Sequence, residues 1–256
     1  MIRKVTALAA VLRRDPQEFA DRVRAIAQGR LDAWLHDRPP YTTTAWHEFV
    51  KRMDACFDGA FSRALRDDAL SATAVEVRSR VDALRGGPID DRHNADELLA
   101  RCCYAVVRCV QPAVVVETGV AHGVSSAYLL AALAENGVGE MHSIDLPPHD
   151  SGAEDRIGAA VPERLRSRWH LHRGMSRRLL PTVLSRVGGA DVFVHDSLHT
   201  YENMRFELAM AHGARVVLVD DIQLNHAFAE AGAHANVMHA ALQQAEKEAL
   251  FGVLVR

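Results

Sequence analysis

The stretch Val114-Val-Val-Glu-Thr-Gly-Val-Ala-His-Gly-Val-Ser-Ser-Ala-Tyr-Leu-Leu130, with its sequel Met141-His-Ser-Ile-Asp145, decides the fold. Val114 to Val116 are apolar and β-branched, the pattern of a strand buried on both faces of a parallel sheet. Glu117 is the first charge and stands where such a strand would end. Gly119 and Gly123 bracket a tight loop. Ser125 and Ser126 open a helical pattern through Ala127, Leu129, Leu130 and Leu133, which Gly137 stops. Met141 to Ile144 read as a second strand finishing at Asp145. Strand, glycine loop, helix, strand and acid make a βαβ nucleotide-binding unit, whose ligand belongs outside the carboxyl ends of the strands.

The glycine spacing narrows the ligand. A dinucleotide site uses G-x-G-x-x-G, so that backbone can approach a pyrophosphate at a helix N-terminus. Here the spacing is G-x-x-x-G, with an acid two residues before the first glycine. A carboxylate there repels a pyrophosphate and suits a cation or an amino group. The stretch resembles motif I of the class I S-adenosylmethionine-dependent methyltransferases. That resemblance implies that Glu117, Gly119, Ala121, Gly123 and Ser125 line the methionyl side of the cofactor and that Asp145 takes the ribose hydroxyls. An NAD site, or a plain buried strand and helix with turn glycines, are the alternatives.

Three further strands follow. Trp169-His-Leu-His-Arg-Gly174 alternates, Asp191-Val-Phe-Val-His-Asp196 ends in an acid, and Gly213-Ala-Arg-Val-Val-Leu-Val-Asp220-Asp221 ends in two. Carboxylates thus arrive at one sheet edge from several strand tips. Ionised acids crowded in one cleft repel each other unless a cation is bound. An all-oxygen set suits Mg²⁺ or another hard divalent cation. Strand-end aspartates acting as caps or ion-pair partners are the plainer reading.

The segment from Asp191 to Asp221, containing His195-Asp-Ser-Leu-His-Thr-Tyr-Glu202 and Asp220-Asp221, resembles a subgroup related to macrocin O-methyltransferase and to the proteins named after cephalosporin hydroxylase. With motif I, the resemblance spans roughly residues 95 to 256. It implies Asp196, Asp220 and Asp221 as metal ligands. His199 is the general-base candidate, since imidazole has a suitable pKa and the residue lies just beyond the metal position. Met175 stands where the family often has an aspartate against adenine, so Ser176 is the candidate for that hydrogen bond.

The flanks supply packing rather than chemistry. Asp15-Pro16-Gln17-Glu18 starts a helix whose Phe19, Val23, Ile26, Leu31 and Trp34 recur at helical spacing. Thr42 to Leu65 and Leu70 to Leu84 read as two more helices, and Asn94-Ala-Asp-Glu97 caps another that runs to Val110. Tyr41, Trp46 and His47 are candidates for substrate contacts. The polar stretch Pro147 to Ala160 lies where it could fold over the ligand. Asn225 and His226 lead into a helix expected from Ala227 to Ala249. Phe251-Gly-Val-Leu-Val-Arg256 is the one clear strand of the closing edge.

At 256 residues and 48% hydrophobic, the chain can bury a large core and is not a disordered protein. A net charge of −3 with mixed signs gives no field for nucleic acid or anionic membrane. Cys56, Cys102, Cys103 and Cys109 form no C-x-x-C pair and read as structural thiols of a reducing cytosol. The N-terminus reads as a helix of a soluble cytoplasmic protein, since its short apolar run ends in Arg13-Arg14-Asp15 and not in a small-residue cleavage site.

The expectation is an α/β chain: a doubly wound, mostly parallel, Rossmann-like sheet over residues 93–256, preceded by a helical lid over 1–92. The activity expected is transfer of methyl from S-adenosylmethionine to a hydroxyl of a small natural product or sugar, assisted by Mg²⁺, in a protein that could form a homodimer. Its rivals are a metal-independent O- or N-methyltransferase, an NAD-dependent oxidoreductase and a non-catalytic cofactor-binding subunit.

Overall fold

The computed structural model describes residues 11–35, 39–146, 153–233 and 238–256. Among the described residues, a helical stretch at 11–14 is followed by α1 (Pro16–Leu35), α2 (Trp46–Cys56), α3 (Ala60–Ala64) and α4 (Asp68–Leu84). Then follow α5 (Glu97–Val110), β1 (Val114–Thr118), α6 (Val124–Asn136), β2 (Glu140–Asp145), β3 (Trp169–Arg173), α7 (Ser176–Val187), β4 (Val192–His195), α8 (Tyr201–Met210), β5 (Val216–Val219), α9 (Ala227–Ala233), β6 (Met238–Gln243) and β7 (Leu250–Val255). The strands form one seven-stranded sheet in the order β3-β2-β1-β4-β5-β7-β6. β1 to β5 are parallel, and β7 runs antiparallel to both β5 and β6.

The order reverses between β1 and β4. The carboxyl ends of the strands diverge there and leave a crevice. β1, β4 and β5 are buried on both faces, which is why they read as unbroken apolar runs. One apolar cluster fills the face under α5 and α6, and a second fills the face under α7, α8 and α9. The apolar sides of α2, α3 and α4, through Phe49, Met53, Phe61, Leu70 and Val77, belong to the first cluster.

Three expectations are corrected. The helix from Thr42 to Leu65 is broken at Asp58-Gly59, both with positive φ (49° and 70°), a turn that an Asp-Gly pair supports. The helix from Ala227 to Ala249 stops at Ala233 among the described residues, and Met238–Gln243 is instead the strand beside β7. His239-Ala-Ala-Leu carries helix formers, but an unpaired β7 edge is the stronger determinant, and the sheet therefore closes with two antiparallel strands rather than one.

The third correction concerns α1. Asp15 caps it as expected, its Oδ1 accepting the N–H groups of Gln17 (3.0 Å) and Glu18 (2.9 Å). Its apolar side chains are not buried, however: Val23, Ile26 and Leu31 are exposed and Trp34 is 82% exposed. Polar contacts hold the helix instead. Glu18, 1% exposed, accepts from Arg22 Nε (2.9 Å) and Arg173 Nη1 (2.8 Å), and Asp21 pairs with Arg178 (3.5 Å). Asp32 accepts the N–H of Tyr201.

Among the described residues, no helix is long and apolar enough to cross a membrane. The four cysteines are free thiols. Of the stretch Pro147 to Ala160, residues 147–152 lie outside the described part. The rest packs behind the glycine loop, with Gly158 N–H donating to Ala121 O (2.9 Å) and Ala160 N–H to His122 O (2.8 Å).

Candidate active site

A cavity of about 810 Å³ opens at the carboxyl ends of β1, β2, β4 and β5. Gly119, Ala121, Asp145, Ser176, Asp196, His199, Asp220 and Asp221 all line it. Glu117, Gly123 and Ser125 do not; they lie behind the wall and hold it in shape.

Glu117 is wholly buried at the end of β1. It accepts the hydroxyls of Ser125 (2.6 Å), Ser126 (2.6 Å) and Ser143 (2.9 Å), which ties the first turn of α6 and the middle of β2 to β1. Burial pushes its carboxyl up to about 7 in spite of these donors. The two glycines are required by protein neighbours. A Cβ on Gly119 (φ 84°) would stand 1.8 Å from the carbonyl oxygen of Asp196. One on Gly123 (φ 85°) would stand 2.8 Å from Gly158 Cα.

At the β2 end, Asp145 Oδ2 accepts the N–H of Ala121 (3.2 Å), and burial raises this carboxyl to about 6. Ala121 itself has φ 49°, so the loop turns its N–H groups inward at that point. Ser176 lines the cavity, yet its hydroxyl donates to Glu207.

Opposite the glycine loop stand the acids of β4 and β5. Burial and the neighbouring Asp220 push Asp196 well above the usual carboxylate range, and the two carboxyls share a hydrogen bond. Burial and the charge of Asp221 raise Asp220 to about 6. Asp220 also accepts from the side-chain amide of Gln244, whose own oxygen is buried without a partner. Two buried carboxyls that must share a proton are a place a divalent cation fits, since its charge replaces that proton and meets both oxygens.

His199 completes the group. Its Nε2 is 3.7 Å from Asp196 Oδ1 and 3.6 Å from Asp221 Oδ2. Ligating atoms of Asp196, His199 and Asp220 lie within 4.8 Å of one another. Asp221 belongs to the rim through His199, with φ 53° and its Oδ1 held by Gln223 (2.9 Å). Burial, then the adjacent His195, lowers His199 to about 4, so the imidazole is neutral at physiological pH. Its backbone is fixed by Asn225, whose Nδ2 donates to the His199 carbonyl (3.1 Å).

Several contributors were invisible in the sequence reading. Glu207 on α8 is fully buried and accepts from His195 (2.6 Å), Ser197 (2.8 Å), Asn203 (2.9 Å) and Thr118. Burial opposes its charge, but His195 and these donors outweigh it and hold the acid at about 2. It thereby anchors the loop that carries Asp196 and His199. Lys247, between β6 and β7, lines the cavity and donates to the carbonyls of Arg92 (3.1 Å) and Asn94. Arg22, Ala25 and Ile26 bring α1 onto the cavity wall. Only the i, i+4 pattern of Glu18 with Arg22 hinted at a polar face there. Tyr41, Trp46 and His47 do not line the cavity: the Tyr41 hydroxyl accepts the N–H of Ala229 (3.2 Å), and Trp46 packs on Phe49 and Phe61.

Residues 116–222 match the family model described as a methyltransferase domain. A comparison with curated proteins finds no match. Among solved structures, the chain resembles the O-methyltransferase TomG of Streptomyces achromogenes, involved in tomaymycin synthesis and solved with SAM. The TM-score is 0.55 at 20% identity, over 83% of this chain and 99% of that one. It also resembles cofactor-bound Rv0187 from MTB (TM-score 0.53, 16% identity, 84% and 98% covered). A third is the Bacillus cereus O-methyltransferase solved with SAH (TM-score 0.50, 16% identity, 81% and 100% covered). At these identities the likeness is one of fold, and the family model adds the domain. Residues 116–222 therefore carry the match to a methyltransferase domain, and the chain as a whole shares the fold of these solved methyltransferases.

Proposed function

We propose that this protein transfers the methyl group of S-adenosylmethionine to a hydroxyl oxygen of a small molecule, with a divalent cation held by Asp196 and Asp220. The observation that carries the reading is the cluster of Asp196, His199 and Asp220, whose ligating atoms lie within 4.8 Å of one another, facing the glycine loop across one cavity. S-adenosylmethionine supplies an electrophilic methyl on its sulfonium, and the neighbours TomG and the Bacillus cereus enzyme, solved with SAM and SAH, support that donor. A hard divalent cation such as Mg²⁺ would lower the pKa of the acceptor hydroxyl and orient it.

The chain's own residues do the rest. The Gly119–Ala121 turn and Asp145 form the donor wall, and the Asp145 carboxyl, oriented by the backbone N–H groups of Ala121, Leu146 and Val120, faces the ribose hydroxyls. His199, neutral and next to two carboxylates, takes up the acceptor's proton, and Asp221 steadies the imidazolium that results. Val120 and Met175, both buried, give the cavity its apolar wall and exclude water from the reacting centre.

A metal-independent O- or N-methyltransferase is the second reading, because Lys247 already draws down the pKa of Asp196 and Asp220 and so offsets part of their charge. The deciding experiment is an assay of radiolabelled methyl transfer to small diols, with EDTA and then with Mg²⁺ restored. The metal-assisted reading expects activity to fall at least about 10²-fold on chelation and to return with the ion. Activity indifferent to EDTA removes the cation from the account. Thermal stabilisation by NAD and not by S-adenosylhomocysteine would remove the methyl donor too.

A further inference from the structure

A second group of ligating side chains lies at the opposite rim, near the amino ends of β2 and β3. The register of these strands sets His142 opposite His170 and Ile144 opposite His172. Because side chains alternate along a strand, Glu140, His142, His170 and His172 share one face of the sheet. The His142 ring stacks on His170 (centroids 4.6 Å apart, 17°) and on His172 (5.4 Å, 13°). Glu140 bridges two of the rings, with Oε1 3.2 Å from His142 Nε2 and Oε2 3.3 Å from His170 Nε2. His142 Nδ1 is 3.1 Å from His172 Nε2, a contact that takes one proton between two nitrogens.

Each Nε2 that faces Glu140 donates its N–H to an acceptor-only carboxylate, and an ion of the zinc type would take the place of those two protons between the same groups. Ligating atoms of Glu140, His142 and His170 lie within 4.8 Å of one another. The two carboxylate–imidazole separations are close to the about 3.3 Å edge of a tetrahedron with metal–ligand bonds of about 2.0 Å. Two imidazoles and a carboxylate are a donor set for borderline ions such as Zn²⁺, and not for Mg²⁺ or Ca²⁺. Glu140 and His170 are accessible and border a shallow groove of about 550 Å³. An ion can therefore enter from solvent, while His172 fixes the orientation of His142 from behind.

We propose that Glu140, His142 and His170 bind one divalent transition-metal ion of the zinc type, which staples the edge strand β3 to β2. The site is separate from the carboxylate rim in both position and donor chemistry. The test uses the full chain stripped with a chelator, then titrated with zinc chloride by calorimetry and by thermal unfolding. Zinc at about 100 times its Kd should raise the melting temperature by about 5–10 °C. His170→Ala and Glu140→Gln each alter an accessible side chain, and each should lose one bound zinc, most of that rise and at least about tenfold in affinity. Asp196→Asn should keep this zinc. The proposal is overturned if the wild-type chain gains no stability from zinc, or if His170→Ala and Glu140→Gln bind it as the wild type does.

Discussion

Glu117 shows how a motif residue can be spent on the frame of a cavity rather than on its lining. The sequence placed it on the methionyl side; the structure puts it one layer deeper, under three serine hydroxyls. Its carboxyl, ordinarily near 4.5, is raised to about 7 by burial. Between those values the folded chain holds a proton that the unfolded chain releases, so this residue's contribution to stability is present below about pH 4.5 and declines as pH rises to 7. In Glu117→Gln that decline should shrink by about 3 kcal/mol, at about 1.4 kcal/mol per pH unit. Urea unfolding at pH 4.5 and 7.5 measures it, and an unchanged decline would place the proton elsewhere. Strand-tip acids such as Asp145, Asp196 and Asp220 were legible because a charge closing an apolar run marks a strand end. Gln244 and Lys247 were not, since their segment carries helix formers, and no pattern in α8 says that Glu207 points inward.

Among the elements, α1 departs furthest from its pattern. Its apolar residues suggested a helix packed on the core, yet Val23, Leu31 and Trp34 are exposed and Ile26 borders the cavity, while Glu18, Asp21 and Arg22 face the protein. Periodicity locates an apolar stripe and leaves open which side meets the fold; here Arg173 and Arg178, distant in sequence, decided it. Burial opposes the charge of Glu18, but Arg173 and Arg22 outweigh it and hold the carboxyl at about 2. That attachment is complete above about pH 4.5 and is lost as pH falls toward 2. Glu18→Ala should free α1 without unfolding the sheet. Hydrogen exchange at neutral pH should be at least about tenfold faster over residues 16–35 and unchanged in β1 and β4. Equal protection in the variant would mean that other contacts fasten the helix.

Over the molecule as a whole, the mostly parallel sheet with helices on both sides followed from five apolar runs, but the order of its strands did not. Nothing in the residues of β4 says that it pairs with β1, because crossover geometry and not sequence sets that neighbour. Nor does the sequence show that α2 to α4 share one core with the sheet, as Phe49, Phe61 and Leu70 do with Leu129 and Val253. A shared core should melt as a unit. Phe61→Ala should cost about 3–5 kcal/mol and lower the melting temperature by about 10 °C. Tryptophan fluorescence of a Trp34→Phe background, reporting Trp46 in α2 and Trp169 in β3, should shift together with the far-ultraviolet signal. Two separated transitions would divide the helices from the sheet.

One contact gears these scales together. Because Gly119 leaves only a hydrogen between itself and the carbonyl of Asp196, the glycine loop and the acid-bearing tip of β4 touch backbone to backbone. Neither can shift without displacing the other. A side chain at this one position would wedge the loop and the β4 tip apart, so the width of the crevice is set by a single hydrogen atom.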